Sequence, residues 1–155
     1  MDLKKLTPGE MLTAACGVLL LIFSFFPWYG VDLGAFGEFN RNGWQEPDAF
    51  FSIIAIILGV VLAAHVIVEK LGNVSLPDRL GSVGWGITHL AGGAVAFIFV
   101  LLKWIMNTDF TKFSLYLALL FTFGLAVGGY LMAKEAGELP EALGGAKGGS
   151  APPAA

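Results

Sequence analysis

The chain has 155 residues, of which 56% are hydrophobic and only 14% are charged. Soluble domains contain about one quarter charged residues, so this composition indicates a membrane protein. The net charge of −3 without a basic cluster argues against nucleic-acid partners. A single cysteine, Cys16, excludes an internal disulfide.

Four long uncharged stretches divide the sequence, and each has about the 20 residues that a helix needs to cross the hydrocarbon core. We therefore predict an all-α membrane protein, an antiparallel bundle of four transmembrane helices joined by short connections. The predicted spans are residues 9–29, 48–69, 81–104 and 113–134, with boundaries uncertain by about 2–4 residues. They form one transmembrane domain over residues 1–137.

The first span has a clear start and end in the sequence. Thr7 and Glu10 stand at the two positions of a capping box, and Pro8 occupies the first helical position between them. Pro27 disfavours helical geometry at the residue before it. The remaining segments are an external loop, residues 30–47, and a Gly/Ala/Pro-rich tail, residues 138–155, predicted to be disordered.

The distribution of Lys and Arg predicts the orientation in the membrane. The side that carries both termini has six of these residues, whereas the opposite side has three, Arg41, Lys103 and Lys112. Positive residues concentrate in cytoplasmic loops. We expect a multi-pass protein of the bacterial cell membrane with both termini in the cytoplasm.

The candidate interaction residues are Trp28 and Tyr29 at the end of the first span and Trp44 in the external loop, and their rings suit the headgroup level of a bilayer. The sequence Asn-Arg-Asn-Gly at 40–43 is typical of a turn, and the residues from Val31 to Phe39 have the pattern of a short hairpin.

Small residues and phenylalanines are distributed unequally along the predicted spans. Small pairs at four-residue spacing, such as Gly124 and Gly128, lie in the inner half or near the centre and let helices approach closely. All 13 phenylalanines fall in the outer half, near mid-membrane or in external loops. We expect an outer half that is wider and filled with aromatic rings. This pattern reflects packing alone, or an apolar pocket open to lipid under the loop.

The motif FFPWYG at residues 25–30, the N-terminal LKKLTPGE and Trp44 resemble a set of small four-span membrane proteins of actinobacteria. The resemblance implies the four-span architecture and carries no activity with it. The plan is similar to that of claudins in the number of spans only, because the outer loop is far shorter and lacks paired cysteines.

The two histidines, His65 and His89, fall near the inner ends of consecutive antiparallel spans, where their imidazoles can face each other. Bis-imidazole ligation of haem b is one hypothesis, since Gly92 and Gly93 leave room for a flat macrocycle. The ordinary alternative is an interhelical hydrogen bond, or a local pair of His65 with Glu69.

The sequence favours a non-enzymatic function. The span interiors contain no Asp, Glu, Lys or Arg for an ion pathway, and no Ser or Cys accompanies a histidine and a carboxylate. We predict an integral membrane protein that acts by association with itself, a larger membrane complex or lipid, without a metal or cofactor. The alternatives are a haem-bearing electron carrier, and a transporter or binder of an apolar, lipid-like molecule.

Overall fold

A computed structural model describes residues 4, 6–46, 48–72, 74–77, 79–80 and 83–137. The described residues are mostly helical. The predicted tail, residues 138–155, lies outside the described residues.

Helices dominate the described residues: α1, Pro8–Ser24; α2, Ala49–Val66; α3, Trp85–Met106; and α4, Phe113–Glu135. A π-helical segment, Ile67–Leu71, continues α2. Three helical stretches are long and apolar enough to cross a membrane, Ala49–Leu71, Trp85–Met106 and Phe113–Glu135. These lengths confirm a helical membrane protein, while α1 is an apolar helix of only 17 residues.

The first helix begins as predicted but ends earlier. The Glu10 carboxylate accepts a hydrogen bond from Thr7 N (3.0 Å), and Glu10 N donates to Thr7 Oγ1 (3.3 Å), which completes the capping box. The helix ends at Ser24, and the chain is a β-strand from Pro27. The predicted span 9–29 was therefore too long, because Pro27 disfavours a continuing helix.

A β-hairpin follows α1, so the all-α class needs a small correction. Strands β1, Pro27–Asp32, and β2, Glu38–Asn42, pair antiparallel, with Val31 opposite Phe39. The turn lies at Gly34–Phe36. Gly34 at its start and Gly37 directly after it have φ of 62° and 89°. The turn predicted at 40–43 does not join the two strands, since residues 40–42 belong to β2; a hydrogen-bonded turn follows β2, where Gln45 N donates to Asn42 O (3.2 Å). A second, two-residue pairing joins β3, Arg79–Leu80, to β4, Val83–Gly84.

Each helix packs against its neighbours in the sequence, and α1 also packs against α4. Glycines set the closest approaches. Gly128 of α4 faces Thr13 and Gly9 of α1, and Gly93 of α3 faces the backbone of α4 at Ala126. The small residues predicted to tighten the bundle therefore lie between helices of one chain.

The phenylalanines do not fill the outer half. Most of them are exposed, including Phe25, Phe50, Phe113 and Phe123, whereas Phe121 is buried. The prediction of a wide outer half filled with aromatic rings was therefore wrong. The core instead follows the bundle axis through aliphatic side chains. Trp28 closes it at the end that carries the hairpin, which we call the outer end after its predicted orientation.

We predict that Gly93→Ala lowers stability by about 1–3 kcal/mol, the usual cost of overpacking a tight interface. An added Cβ would lie 2.5 Å from Ala126 N, and backbone atoms cannot rotate away. Gly92→Ala is the matched control, because its Cβ would meet only the Leu62 side chain, at 3.1 Å. Unfolding of both variants in mild detergent measures the difference. Equal stability of the two would contradict the packing described here.

Candidate functional site

Strand β1 lies across the outer mouth of the bundle and contacts several helices in turn. Trp28 is completely buried, and its Nε1 donates to Phe23 O in α1 (2.9 Å). Tyr29 donates its hydroxyl to Lys103 O in α3 (3.2 Å). Gly30 N donates to the carbonyl of Phe110, just before α4 (2.8 Å). The strand is therefore fixed to the bundle along half of its length.

The side chain of Lys103, in the last turn of α3, is completely buried beneath this strand. Its Nζ donates to Ser52 Oγ (2.7 Å) and to Gln45 O (3.2 Å). The same atom lies 5.6 Å from the ring centre of Trp28 and 5.7 Å from that of Tyr29. A buried ammonium is costly unless such partners surround it. We call these five residues the lysine lock.

The buried position of Tyr29 also affects the ionisation of its hydroxyl. Burial, with the charge of Asp48 adding to it, raises the pKa of the Tyr29 hydroxyl. The hydroxyl therefore stays a neutral hydrogen-bond donor at the end of α3.

The residues predicted to form an interaction surface lie mostly inside the protein. Trp28 and Tyr29 belong to the lysine lock, and Trp44 is half-buried, donating from Nε1 to Ser24 Oγ (2.8 Å). Gly124 packs against Cys16, and Gly128 packs against α1. In this conformation these residues make contacts within the chain. The surface that a partner could reach is formed by other residues of the hairpin.

The sequence analysis counted Lys103 among the positive charges of the loops and did not predict that its side chain is buried. The spacing of the buried residues of α3 could have predicted this burial. Its buried residues recur every three or four positions, and Lys103 continues that series: Gly86, His89, Gly93, Ala96, Val100 and Lys103.

At the other end of the bundle, the structure brings the two histidines together. His65 Nδ1 and His89 Nε2 form a hydrogen bond of 3.0 Å. Trp85 stacks on His65 with a centroid distance of 3.8 Å, and His65 Nε2 lies 3.4 Å from a Glu69 oxygen. His89 is completely buried. Both ordinary alternatives, the interhelical bond and the local contact with Glu69, are present together.

This geometry does not suit bis-imidazole ligation of haem b. Bonds from imidazole to a metal are about 2 Å long, so two ligands on opposite faces stand about 4 Å apart with the macrocycle between them. The two facing nitrogens of His65 and His89 are 3.0 Å apart. Haem binding would require the rings to separate.

Beside His65 there is a polar cavity of about 280 Å³, to which all four helices or the residues next to them contribute. Glu10 and Lys70 form an ion pair at its edge (3.4 Å). Its lining residues are Thr7, Glu10, His65, Glu69, Lys70, Trp85, Gly86, Met132, Glu135 and Ala136. Among the residues that the structure describes, no group of three or more His, Cys, Asp or Glu is placed to hold a metal ion.

Comparison with known proteins gives no match to this chain among protein-family models, curated proteins or solved structures.

We predict that Lys103→Met destabilises the protein by about 1.5–3 kcal/mol, the usual value for hydrogen bonds to a charged group. The loss leaves Gln45 O and Ser52 without their donor. A double-mutant cycle with Ser52→Ala, measured by unfolding in detergent, isolates that bond. Additive effects of the two substitutions would contradict the lysine lock.

We also predict that the purified protein shows no Soret absorption band, because no macrocycle fits between rings held 3.0 Å apart. The spectrum is recorded in mild detergent after expression with a haem precursor. A band that disappears in His65→Ala and in His89→Ala would contradict this geometry and support the electron carrier.

Proposed function

We propose that the protein is a small integral membrane protein that acts by association, not by catalysis, and that its partner is a second copy of itself. The observation that carries the proposal is the free edge of β2. In the part of the chain that the structure describes, β2 pairs with β1 only. Strand edges of this kind readily add a strand from another chain.

The sequence of β2 is self-complementary. Antiparallel pairing of two β2 strands centred on Asn40 places Phe39 of each copy opposite Arg41 of the other. Within one chain the Arg41 guanidinium already lies 5.0 Å from the ring centre of Phe39. Across the pair, the same residues make cation–π contacts in both directions. Such an interface is isologous and closes as a dimer with two-fold symmetry.

The placement of the hairpin is compatible with such a dimer in one membrane. Two copies with the same orientation share a symmetry axis along the membrane normal, so antiparallel edges must lie in the membrane plane. Strand β1 fits this requirement because it runs across the mouth of the bundle.

Exposed apolar side chains at the tip of the hairpin support the same interface. Phe36 is 90% exposed, and Leu33 beside it is also exposed. Large exposed apolar groups on an ordered tip mark an interaction site. Both residues adjoin the start of β2, so they add exposed apolar surface beside its free edge.

The charges at the outer end support a cytoplasmic position for both termini in a bacterial cell membrane. Two of the three cationic side chains on that side already make contacts within the protein. Lys103 is buried, and Lys112 pairs with Glu38 at 2.9 Å, a bond that lowers the pKa of the Glu38 carboxyl. The side of the termini has six Lys and Arg residues against three on the other side, one of which is buried, and this excess favours a cytoplasmic position for the termini.

One observation favours a second candidate, the binding of an apolar, lipid-like molecule. An apolar groove of about 390 Å³ runs between α2 and α3, on the inner half of the bundle. Its lining residues are Leu58, Val83, Ile87, Thr88, Ala91, Gly92 and Val95. A groove of this shape suits an acyl chain. It lies away from the phenylalanine-rich outer half where the sequence suggested such a site.

We predict that Asn40→Cys forms a disulfide-linked dimer on mild oxidation in membranes. In the proposed pairing, residue 40 faces itself across the two-fold axis. Directly opposite residues stand about 4.5–5.5 Å apart, within the range for a disulfide. Non-reducing electrophoresis measures the fraction of dimer.

The wild-type chain and Asp32→Cys are the controls. The native thiol of Cys16 is buried in α1, and the proposed pairing separates two copies of residue 32 by about 20 Å. Equal cross-linking at 32 and 40 would indicate random collision. No cross-linking at 40, with a monomeric mass in mild detergent, would overturn the proposed self-association.

A further inference from the structure

The cavity beside His65 contains a buried nitrogen that lacks a hydrogen bond. The His65 side chain is only 8% exposed. Its Nδ1 is bonded to His89, while its Nε2 is buried without a hydrogen-bond partner, 3.4 Å from Glu69. A buried polar atom of this kind costs free energy unless something pairs with it. His65 lines the cavity, but Nε2 itself has almost no exposed surface, so a partner must enter between this nitrogen and the neighbouring Glu69 carboxylate.

The charges around the cavity are unbalanced. The carboxylates of Glu10, Glu69 and Glu135 face one ammonium, that of Lys70. Lys70 pairs with Glu10, which itself accepts the amide hydrogen of Thr7. Two carboxylates, Glu69 and Glu135, are therefore left without a cationic partner among the residues that line the cavity. With three negative charges and one positive charge, the lining residues are short of two positive charges.

We propose that this cavity binds a primary ammonium group. The ammonium donates to the carboxylates of Glu69 and Glu135 and to Nε2 of His65. In the tautomer with hydrogen on Nδ1, His65 donates to His89, and the lone pair on Nε2 is free to accept. The Trp85 ring, which also lines the cavity, adds cation–π attraction.

This site is independent of the proposed dimer. It lies at the opposite end of the bundle from β2, next to residues that continue into the N-terminus and the second loop. The ammonium has two possible sources, a free small amine or the headgroup of an aminophospholipid. The cavity lies at the end of three helices long enough to span a membrane, so both sources have access to it.

The chain contains only two histidines, so nitrogen-15 labelling of histidine reports on the site directly. The full-length protein is placed in nanodiscs of phosphatidylglycerol, which has no amine, and titrated with ethanolamine. We expect a saturable shift of the His65 ring resonances by about 100 mM, which is about one hundred times a Kd of 1 mM. Ethylene glycol, a neutral molecule of the same size, is expected to leave them unchanged.

Substitutions test the residues of the site. Glu69→Gln and Glu135→Gln should each weaken binding about tenfold or more, since each removes one charged hydrogen bond. Asp109→Asn is the matched control, because it makes the same charge change at an exposed position on the other end of the bundle. Its affinity for ethanolamine should equal that of the wild type. The hydrogen-bonded histidine pair should persist in all three variants.

A second nanodisc, containing phosphatidylethanolamine without free amine, identifies the source. Resonances that are already shifted in this nanodisc assign the site to the lipid headgroup. A shift that needs free ethanolamine assigns it to a soluble amine. The proposal is overturned if neither condition moves the His65 resonances, or if ethylene glycol moves them equally.

Discussion

The outer end of the molecule depends on the burial of one ammonium group. Lys103 cannot reach solvent, so its charge must be compensated by groups brought to it from other elements. Ser52 comes from α2, Gln45 from the segment after the hairpin, and the rings of Trp28 and Tyr29 from β1. A connection that would otherwise be a flexible loop thereby becomes a fixed cover on the bundle.

Local strain is tolerated around this cover because the surroundings hold it. Asp48 has a φ of 51°, in the left-handed region that few residues other than glycine adopt. Its carboxylate accepts a hydrogen bond from Asn107 Nδ2 at the end of α3 (2.5 Å). Phe110 has a φ of 61°, and its carbonyl accepts from Gly30 N. In both cases a contact to another element fixes the strained residue.

The two polar sites are separated by an apolar, closely packed core. His89 and Lys103 lie on the same stripe of α3, about 21 Å apart at 1.5 Å per residue. Between them, Gly93, Ala96 and Val100 pack with no polar side chain on that stripe. The proposed association surface and the proposed binding cavity, at opposite ends of the bundle, can therefore act independently, and no continuous polar path connects them along this stripe.

The sequence predicted what depends on composition and spacing, and missed what depends on contacts between distant residues. Uncharged stretches located α2, α3 and α4 closely, and the capping box at Thr7 located the start of α1. The hairpin turn was misplaced because Asn and Gly at 42–43 match a turn pattern as well as Gly34 and Gly37 do. The outward direction of the phenylalanines and the burial of Lys103 depend on how the bundle packs, whereas the contact between the two histidines was anticipated from their positions on consecutive antiparallel spans.

Hydrogen exchange of backbone amides in nanodiscs tests most directly whether the hairpin is a fixed cover. Three amides anchor it: Gly30 N to Phe110 O, Gly43 N to Ser24 O and Lys112 N to Trp28 O, at 2.8, 2.9 and 2.7 Å. If the lysine lock holds the hairpin on the bundle, these amides should exchange as slowly as those in the helix cores. Exchange at the rate of an unstructured loop would contradict the account, because β1 and β2 would then have no fixed position over the mouth.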